Sequence, residues 1–456
     1  MMTDPGLFKQ YDIRGKYGDT LTDDAAWRIG KAFGTYLQRR GVRDVVVGRD
    51  NRTSSPALAE AAIKGLVETG CNVTDIGMAA TPVVYWCAVE AGDAGGMMIT
   101  GSHLKPAMNG FKLSIGKDNL YGDQIQVLRE MIDASDFVEG EGQSSVDETA
   151  NERYLAMAEG RLHHARPLKI VVDAGNGIGG IYGPALLEAL GHTVICLYCK
   201  PDGTYPHHQP DPQNADNLRD LVRIVQEQGA DLGLAYDGDA DRVGVVDERG
   251  NVVGADRILV LLARDILKRN PGAMVVGDVL STQVLFDEIA KAGGSPLIWK
   301  SGHSMIKAKM AEEGALLGGE MSGHIFLGDG YYGFDDGIFV GARIVQLVTE
   351  QDQPLSALMA TVPTLYATPE YRPHCPDDQK ARVIGAVQQA LDGQYAMNDV
   401  DGIRITFERG WGLLRASNTE PVLSLRFEGE TLGDALSYKD IVREALVQAY
   451  PEVEPF

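Results

Sequence analysis

Cysteine is scarce in this chain: Cys71, Cys87, Cys196, Cys199 and Cys375 are spread over 456 residues. That spacing excludes a disulfide-stapled scaffold and points to a reducing compartment, the cytoplasm. Cys196 and Cys199 make one CxxC, but they lie in or beside the apolar run 194–198 and read as ordinary strand residues. No run approaches the eighteen or so apolar residues of a bilayer span. Residues 1–10 carry an acid, a proline and a glycine where a signal peptide needs an apolar stretch, so no leader and no membrane partner are expected. Positive charge is short as well: 42 Lys and Arg face 64 Asp and Glu, a net charge of −22. Nucleic acids and anionic membranes are bound by neutralising phosphates, so neither partner is expected. A phosphate site in such a chain has to be a local positive pocket.

What is present is a globular apolar content of 44% and a length suited to about three or four domains of roughly 100–150 residues each. One pattern recurs three times: an apolar β-branched run, a turn rich in Gly, Asp or Asn, a helical stretch, a glycine, and a second apolar run. The copies begin at 44–50, 169–173 and 274–278, with helices expected at 57–66, 185–190 and 284–291. Strand, crossover helix and parallel strand at this scale imply three α/β units with buried sheets. The last ninety or so residues differ, with a helix at 381–391, alternating strands at 402–408, 412–416 and 422–428, and a helix at 438–449. They read as a smaller α+β domain. Boundaries fall near 148, 249 and 363.

The most specific segment is Asp237-Gly238-Asp239-Ala240-Asp241-Arg242, between two strand-like runs. Three carboxylates at alternate positions, with a glycine to bend the chain, can converge on one hard divalent cation and leave room for a phosphoryl oxygen. An EF-hand is the sharper competitor, since Glu248 is twelfth from Asp237. The sixth position, however, is Arg242 rather than the glycine such a loop needs, and the flanks are strands. A second segment, Thr100-Gly101-Ser102-His103-Leu104-Lys105-Pro106, places a serine hydroxyl beside His103, Lys105 and the nearby Lys112, a cationic setting suited to carrying a phosphate. Gly175-Asn176-Gly177-Ile178-Gly179-Gly180 satisfies GxGxxG. No convincing acid ends the next strand, so close strand–helix packing explains these glycines better than a dinucleotide.

Five loops in order, Tyr11-Asp12-Ile13-Arg14-Gly15, Thr100-Gly101-Ser102-His103, 237–242, Gly319-Glu320-Met321-Ser322-Gly323-His324 and Arg415-Ala416-Ser417-Asn418-Thr419-Glu420-Pro421, resemble the signature loops of the α-D-phosphohexomutase superfamily. The resemblance covers nearly the whole chain and is similar to the bacterial phosphomannomutase/phosphoglucomutase branch. It implies an α/β fold of four domains around a central cleft: three homologous α/β mixed-sheet domains and a smaller C-terminal α+β domain. The implied division is a phosphoserine-loop domain 1–148, a metal-loop domain 149–249, a sugar-recognition domain 250–363 and a phosphate-clamp domain 364–456.

By position, the resemblance makes Ser102 the phosphoserine and places Mg²⁺ on Asp237, Asp239, Asp241 and the Ser102 phosphate. His103, Lys112 and Arg242 serve the transfer, with the general base left open between Lys112 and His103. Tyr11, Arg14, His303, Glu320, Ser322 and His324 would face the substrate, and Arg415, Ser417, Asn418 and Thr419 would grip its other phosphate. The implied enzyme is an isomerase, an intramolecular phosphotransferase. It would interconvert hexose 1-phosphate and 6-phosphate of mannose, glucose or both through a bound 1,6-bisphosphate, with glucose 1,6-bisphosphate or an equivalent as activator. A phosphoglucosamine mutase and a non-catalytic sugar-phosphate-binding homologue are the alternatives. Met321 resembles the mannose/glucose branch. Two departures stand out: Leu104-Lys105 replaces the Asn-Pro that usually follows Ser-His, and Leu280 replaces a lysine. His207 and His208 read as part of a structural loop. The sequence carries no reading of oligomeric state.

Overall fold

The computed structural model describes residues 4–417 and 420–456. The chain divides into two compact units: residues up to Ile258 with Ser322–Met359, and Leu259–Met321 with Ala360–Phe456. Among the described residues no helix is long and apolar enough to cross a membrane.

The first unit contains two mixed sheets. In the seven-stranded one, Asp44–Arg49 lies between Asn72–Met78 and Gly95–Ile99, parallel to both, and Gly95–Ile99 pairs antiparallel with Met108–Ile115. The β-branched run Val45-Val46-Val47 suits a strand buried on both faces. Val45, Val47, Met97, Ile99, Phe111 and Leu113 share one core with apolar residues of helices Asp23–Gln38, Ser55–Val67 and Asp123–Ala134. Helix Thr81–Glu90 packs on strands Asp44–Arg49 and Gly95–Ile99. The five-stranded sheet runs Val252–Val253, Val243–Asp247, Leu232–Tyr236, Lys169–Asp173, Thr193–Leu197. Its last three strands are parallel, while Leu232–Tyr236 and Val243–Asp247 form an antiparallel pair, every residue of which is buried.

The glycine-rich turn at 175–180 is a packing device. A Cβ on Gly179 would lie 2.7 Å from the Tyr236 side chain, and one on Gly180 would lie 2.0 Å from the Cys199 carbonyl oxygen. His207 and His208 hold the neighbouring loop: His207 Nδ1 is 2.7 Å from Asn176 Oδ1, and His208 Nε2 is 3.1 Å from Asp173 Oδ2.

In the second unit, Met274–Asp278 runs parallel to Ser295–Trp299 on one side and Leu317–Gly319 on the other. A five-stranded antiparallel sheet follows, ordered Tyr366–Ala367, Leu423–Gly429, Gly410–Ala416, Ile403–Phe407, Ala396–Asn398. Helices Asp377–Leu391 and Leu432–Ala449 share a core with it. The closing helix begins six residues before the expected 438, because Thr431 caps it. Its hydroxyl accepts from Asp434 N–H, and the Asp434 carboxylate accepts from Thr431 N–H. This is a capping box with Asp in place of the usual Glu.

Candidate active site

Strand Gly95–Ile99 is wholly buried and delivers the serine loop at its C-terminal end. There the backbone turns sharply: Ser102 has φ +47°, a left-handed conformation uncommon for serine. Arg52 holds that turn. Its guanidinium, 1% exposed, donates to the carbonyls of Ser102, Leu104 and Lys105, each at 2.7 Å, and to that of Met108 at 3.1 Å. Asp50 balances the charge at 3.1 Å and accepts from Gly101 N–H at 3.0 Å. The departure Leu104-Lys105 therefore contributes to this loop through main-chain carbonyls, whatever its side chains are.

Antiparallel pairing of Leu232–Tyr236 with Val243–Asp247 places residues 237–242 in the connecting turn, where Ala240 takes φ +61°. The turn sits against the serine loop so closely that a Cβ on Gly238 would lie 2.2 Å from the Ser102 carbonyl oxygen. Only glycine permits this approach. Ser102 Oγ consequently donates to Asp237 Oδ2 at 2.8 Å and lies 3.0 Å from His103 Nδ1. Thr81, at the start of helix Thr81–Glu90, donates its hydroxyl to Asp239 Oδ2 at 2.6 Å and its N–H to the Asp239 carbonyl at 3.0 Å. Lys112 stands opposite Met98 in the sheet and reaches Asp239 Oδ2 at 2.7 Å and Asp241 Oδ2. Arg242 Nε is 2.8 Å from His324 Nε2. Arg14, on strand Ile13–Lys16, is paired with Asp12 at 2.5 Å.

Charge in this site does not balance. Asp237, Asp239 and Asp241 are fully buried, and ligand oxygens from the three lie within 4.8 Å of one another. Burial, reinforced by its two acidic neighbours, pushes Asp237 well above the usual carboxylate range. Asp241 is pushed up to about 7 by burial and by the charge of Asp239. In Asp239 burial is outweighed by the charge and hydrogen bond of Lys112, which hold its carboxyl down. Burial also disfavours the Lys112 ammonium, but Asp239 and Asp241 overcome it and raise its pKa well above the ordinary value. Burial, then the positive charges of Arg242 and Arg14, lower His103 far below its ordinary value, so its imidazole is neutral. Oδ1 of Asp239 and Oδ1 of Asp241 are buried and accept no hydrogen bond. Three carboxylates against Lys112 and, 4.0 Å from Asp237, Arg242, with two oxygens that accept no hydrogen bond, fit a hard divalent cation.

The second unit carries a different cluster. Glu320 Oε1 accepts from Gly302 N–H at 2.5 Å and from Ser301 Oγ at 3.3 Å. Ser301 Oγ lies equally near Asp278, at 3.2 Å, so its one hydroxyl proton serves either carboxylate, and its N–H donates to Asp401 at 3.1 Å. Arg415, on strand Gly410–Ala416, pairs with the same Asp401 oxygen through Nε at 3.0 Å and Nη2 at 2.9 Å. Beyond that strand, Lys380 donates to the carbonyls of Ser417 at 2.8 Å and Glu420 at 2.6 Å. His303 opens helix His303–Glu313 and is buried. Arg426 donates to the Leu280 carbonyl at 2.5 Å and to Met321 Sδ, and Leu280 itself packs beside Val279, Trp411 and Leu413.

Four family models cover the chain: phosphoglucomutase/phosphomannomutase alpha/beta/alpha domain I over residues 5–139, domain II over 152–250, domain III over 254–366, and the C-terminal domain over 371–445. The chain belongs to the phosphoglucomutase/phosphomannomutase family. It is 45% identical over 452 residues to a phosphomannomutase/phosphoglucomutase of Pseudomonas putida, covering 99% of this chain and 97% of that protein. It is 43% identical over 429 residues to a phosphoglucomutase of Neisseria meningitidis, covering 93% of each. A crystal structure of a phosphoglucomutase/phosphomannomutase family protein from Burkholderia thailandensis superimposes with a TM-score of 0.95 at 40% identity, over 100% of both chains. The chain is thus a phosphohexomutase, an isomerase-class enzyme that interconverts hexose phosphates.

Of the residues expected at the site, the first unit brings together Ser102, His103, Lys112, Asp237, Asp239, Asp241, Arg242 and His324. Ser322, half-buried, and Arg14 and Tyr11 belong to the same unit. Glu320, His303, Arg415 and Ser417 belong to the second. Asn418 and Thr419 lie outside the described residues. Sequence reasoning missed Arg52, Asp50 and Thr81 in the first unit, and Ser301, Asp278, Asp401 and Lys380 as the supports of Glu320 and the Arg415 turn. Ser301 lies two positions before the expected His303.

Proposed function

We propose that the chain interconverts the 1-phosphate and 6-phosphate of mannose, glucose or both through a phosphorylated Ser102. The hydrogen bond from Ser102 Oγ to Asp237, beside the neutral His103 imidazole, carries this reading. Phosphoryl transfer needs positioning and charge neutralisation more than covalent activation. The left-handed turn at Ser102, pinned through its carbonyl by Arg52, fixes the oxygen that would bear the phosphate. Asp237, Asp239 and Asp241 would hold Mg²⁺, which when bound supplies positive charge to phosphoryl oxygens. Lys112 and Arg242 add fixed cationic charge beside them, and His103 is the candidate to take the proton of the accepting hydroxyl.

In the cycle, phospho-Ser102 passes its phosphoryl to the free hydroxyl of a hexose monophosphate, giving a bound 1,6-bisphosphate. That intermediate turns over, and its other phosphate returns to Ser102. Glu320 would read sugar hydroxyls, with Ser322, His303, His324, Tyr11 and Arg14 lining the substrate. The Arg415 turn, with Ser417, Asn418 and Thr419, would bind whichever phosphate is not reacting. Asp401 occupies Arg415 in this structure, so an incoming phosphate competes with a carboxylate for the same guanidinium.

The proposed division of labour follows the segments 1–148, 149–249, 250–363 and 364–456. Glucose 1,6-bisphosphate would serve as activator, and the scattered cysteines favour a cytoplasmic enzyme. Turnover of mannose, glucose and glucosamine 1-phosphates, with Mg²⁺ and catalytic glucose 1,6-bisphosphate, tests this. Conversion of the first two at comparable rates is expected. Exclusive use of the glucosamine compound would overturn the assignment.

A further inference from the structure

The CxxC at 196–199 plays no part in the chemistry above, yet its surroundings are not those of ordinary strand residues. Cys196 is exposed, at the end of Thr193–Leu197, which is an edge strand of the five-stranded sheet. Cys199 is half-buried just beyond it and donates weakly to the carbonyls of Val172 at 3.5 Å and Leu197 at 3.7 Å. Burial raises the Cys199 thiol, and its neighbour Cys196, three positions back, raises it further. Between them Tyr198 has φ +52°, a backbone state that bulky residues rarely adopt. Three contacts hold it there: Asn176 N–H donates to the Tyr198 carbonyl at 2.8 Å, the ring stacks on His207 at 3.9 Å, and the hydroxyl donates to Asp220 at 2.8 Å. This left-handed residue ends the extended run of Thr193–Leu197 between the two cysteines. The other cysteines, Cys71, Cys87 and Cys375, are buried.

We propose that Cys196 and Cys199 are a reversible disulfide site, oxidised by exchange with a low-molecular-weight disulfide. The exposed Cys196 thiolate attacks one sulfur of that disulfide and expels the first thiolate, leaving a mixed disulfide on Cys196. The Cys199 thiolate then attacks the Cys196 sulfur and expels the second. The net change is two protein thiols to one S–S bond and one small disulfide to two small thiols, with both protons carried by the leaving thiols. Exposure makes Cys196 the point of entry, and the half-buried Cys199 is the resolving partner.

The test treats the native, fully reduced chain with glutathione disulfide and examines the tryptic fragment 170–219, which contains both of these cysteines and none of the other three. The expected product is that fragment lighter by two hydrogens, restored by dithiothreitol, with no glutathione attached. Cys199→Ser should instead retain one glutathione on Cys196. Two intact thiols, a stable glutathione adduct in the unsubstituted chain, or a bridge to any other cysteine would overturn the proposal. So would a 196–199 bridge that forms only after denaturation.

Discussion

The two carboxylate clusters make opposite use of the same side chain. In the first unit, Asp237, Asp239 and Asp241 face Lys112 and, at 4.0 Å from Asp237, Arg242, and two of their oxygens accept no hydrogen bond. In the second, Glu320 accepts from Gly302 N–H, the one Ser301 hydroxyl proton lies between Glu320 and Asp278, and Asp401 accepts from Ser301 N–H and Arg415. Buried carboxylates that are satisfied by donors read neutral ligands or steady a guanidinium. Buried carboxylates left short of positive charge raise their own pKa and ask for a cation. On the proposed mechanism the first cluster would take the metal and the phosphoryl chemistry, and the second the sugar hydroxyls and the other phosphate.

Four substitutions sharpen that contrast, beginning with the largest effect. Arg52→Ala leaves Asp50 buried without its partner and strips the carbonyls of the serine loop, so unfolding free energy should fall by about 3–5 kcal/mol. Denaturant unfolding measures this, and Arg52→Lys should recover only part, since an ammonium cannot span the same carbonyls. Asp239→Asn should cut turnover by at least about 100-fold and raise the Mg²⁺ concentration needed for half-activity, as loss of a ligand exceeds the usual effect of losing an outer partner. A variant with unchanged Mg²⁺ dependence would erase the distinction between the clusters.

Arg415→Lys should raise KM about tenfold, near 1.4 kcal/mol, with the Mg²⁺ requirement unmoved, because a fork is replaced by a point charge. A changed Mg²⁺ requirement would mean that the two clusters are not chemically separate.

The smallest effect separates folding from titration at either site. His164 lies against His192, and burial lowers its pKa to about 4, assisted by the positive charges of His192, His163 and Arg343. The unfolded chain binds the proton more readily, so this contribution is complete above the unfolded value of 6.5 and is lost as pH falls from there toward 4. With partial exposure discounted, it amounts to about 1 kcal/mol. His164→Gln should flatten the acid limb of stability, followed by thermal unfolding between pH 7 and 4, without changing the pH profile of turnover.

Much of this was legible in the chain itself. The repeated Val-rich runs announced the parallel strands Asp44–Arg49, Lys169–Asp173 and Met274–Asp278, because burial on both faces leaves a continuous apolar signature. The alternating acids at 237–241 were equally plain, since few other roles need three carboxylates around a glycine. Arg52 was invisible for a physical reason: its partners are backbone carbonyls, which every residue has, so no residue type marks the contact. Asp278, Asp401 and Ser301 are brought together from positions separated by 23 and 100 residues, and neither spacing has a local pattern. The early start of Leu432–Ala449 was hidden because its first residues, Leu432 and Leu436, are exposed and add no apolar periodicity.

In the proposed cycle Ser102 carries the phosphoryl group. Incubating the purified chain with glucose 1,6-bisphosphate and Mg²⁺, then mapping phosphate by intact mass and fragment sequencing, tests it most directly. One phosphate is expected on Ser102, removed by excess hexose monophosphate and missing from Ser102→Ala together with turnover. A turning-over chain with phosphate on another residue, or full activity in Ser102→Ala, would contradict it.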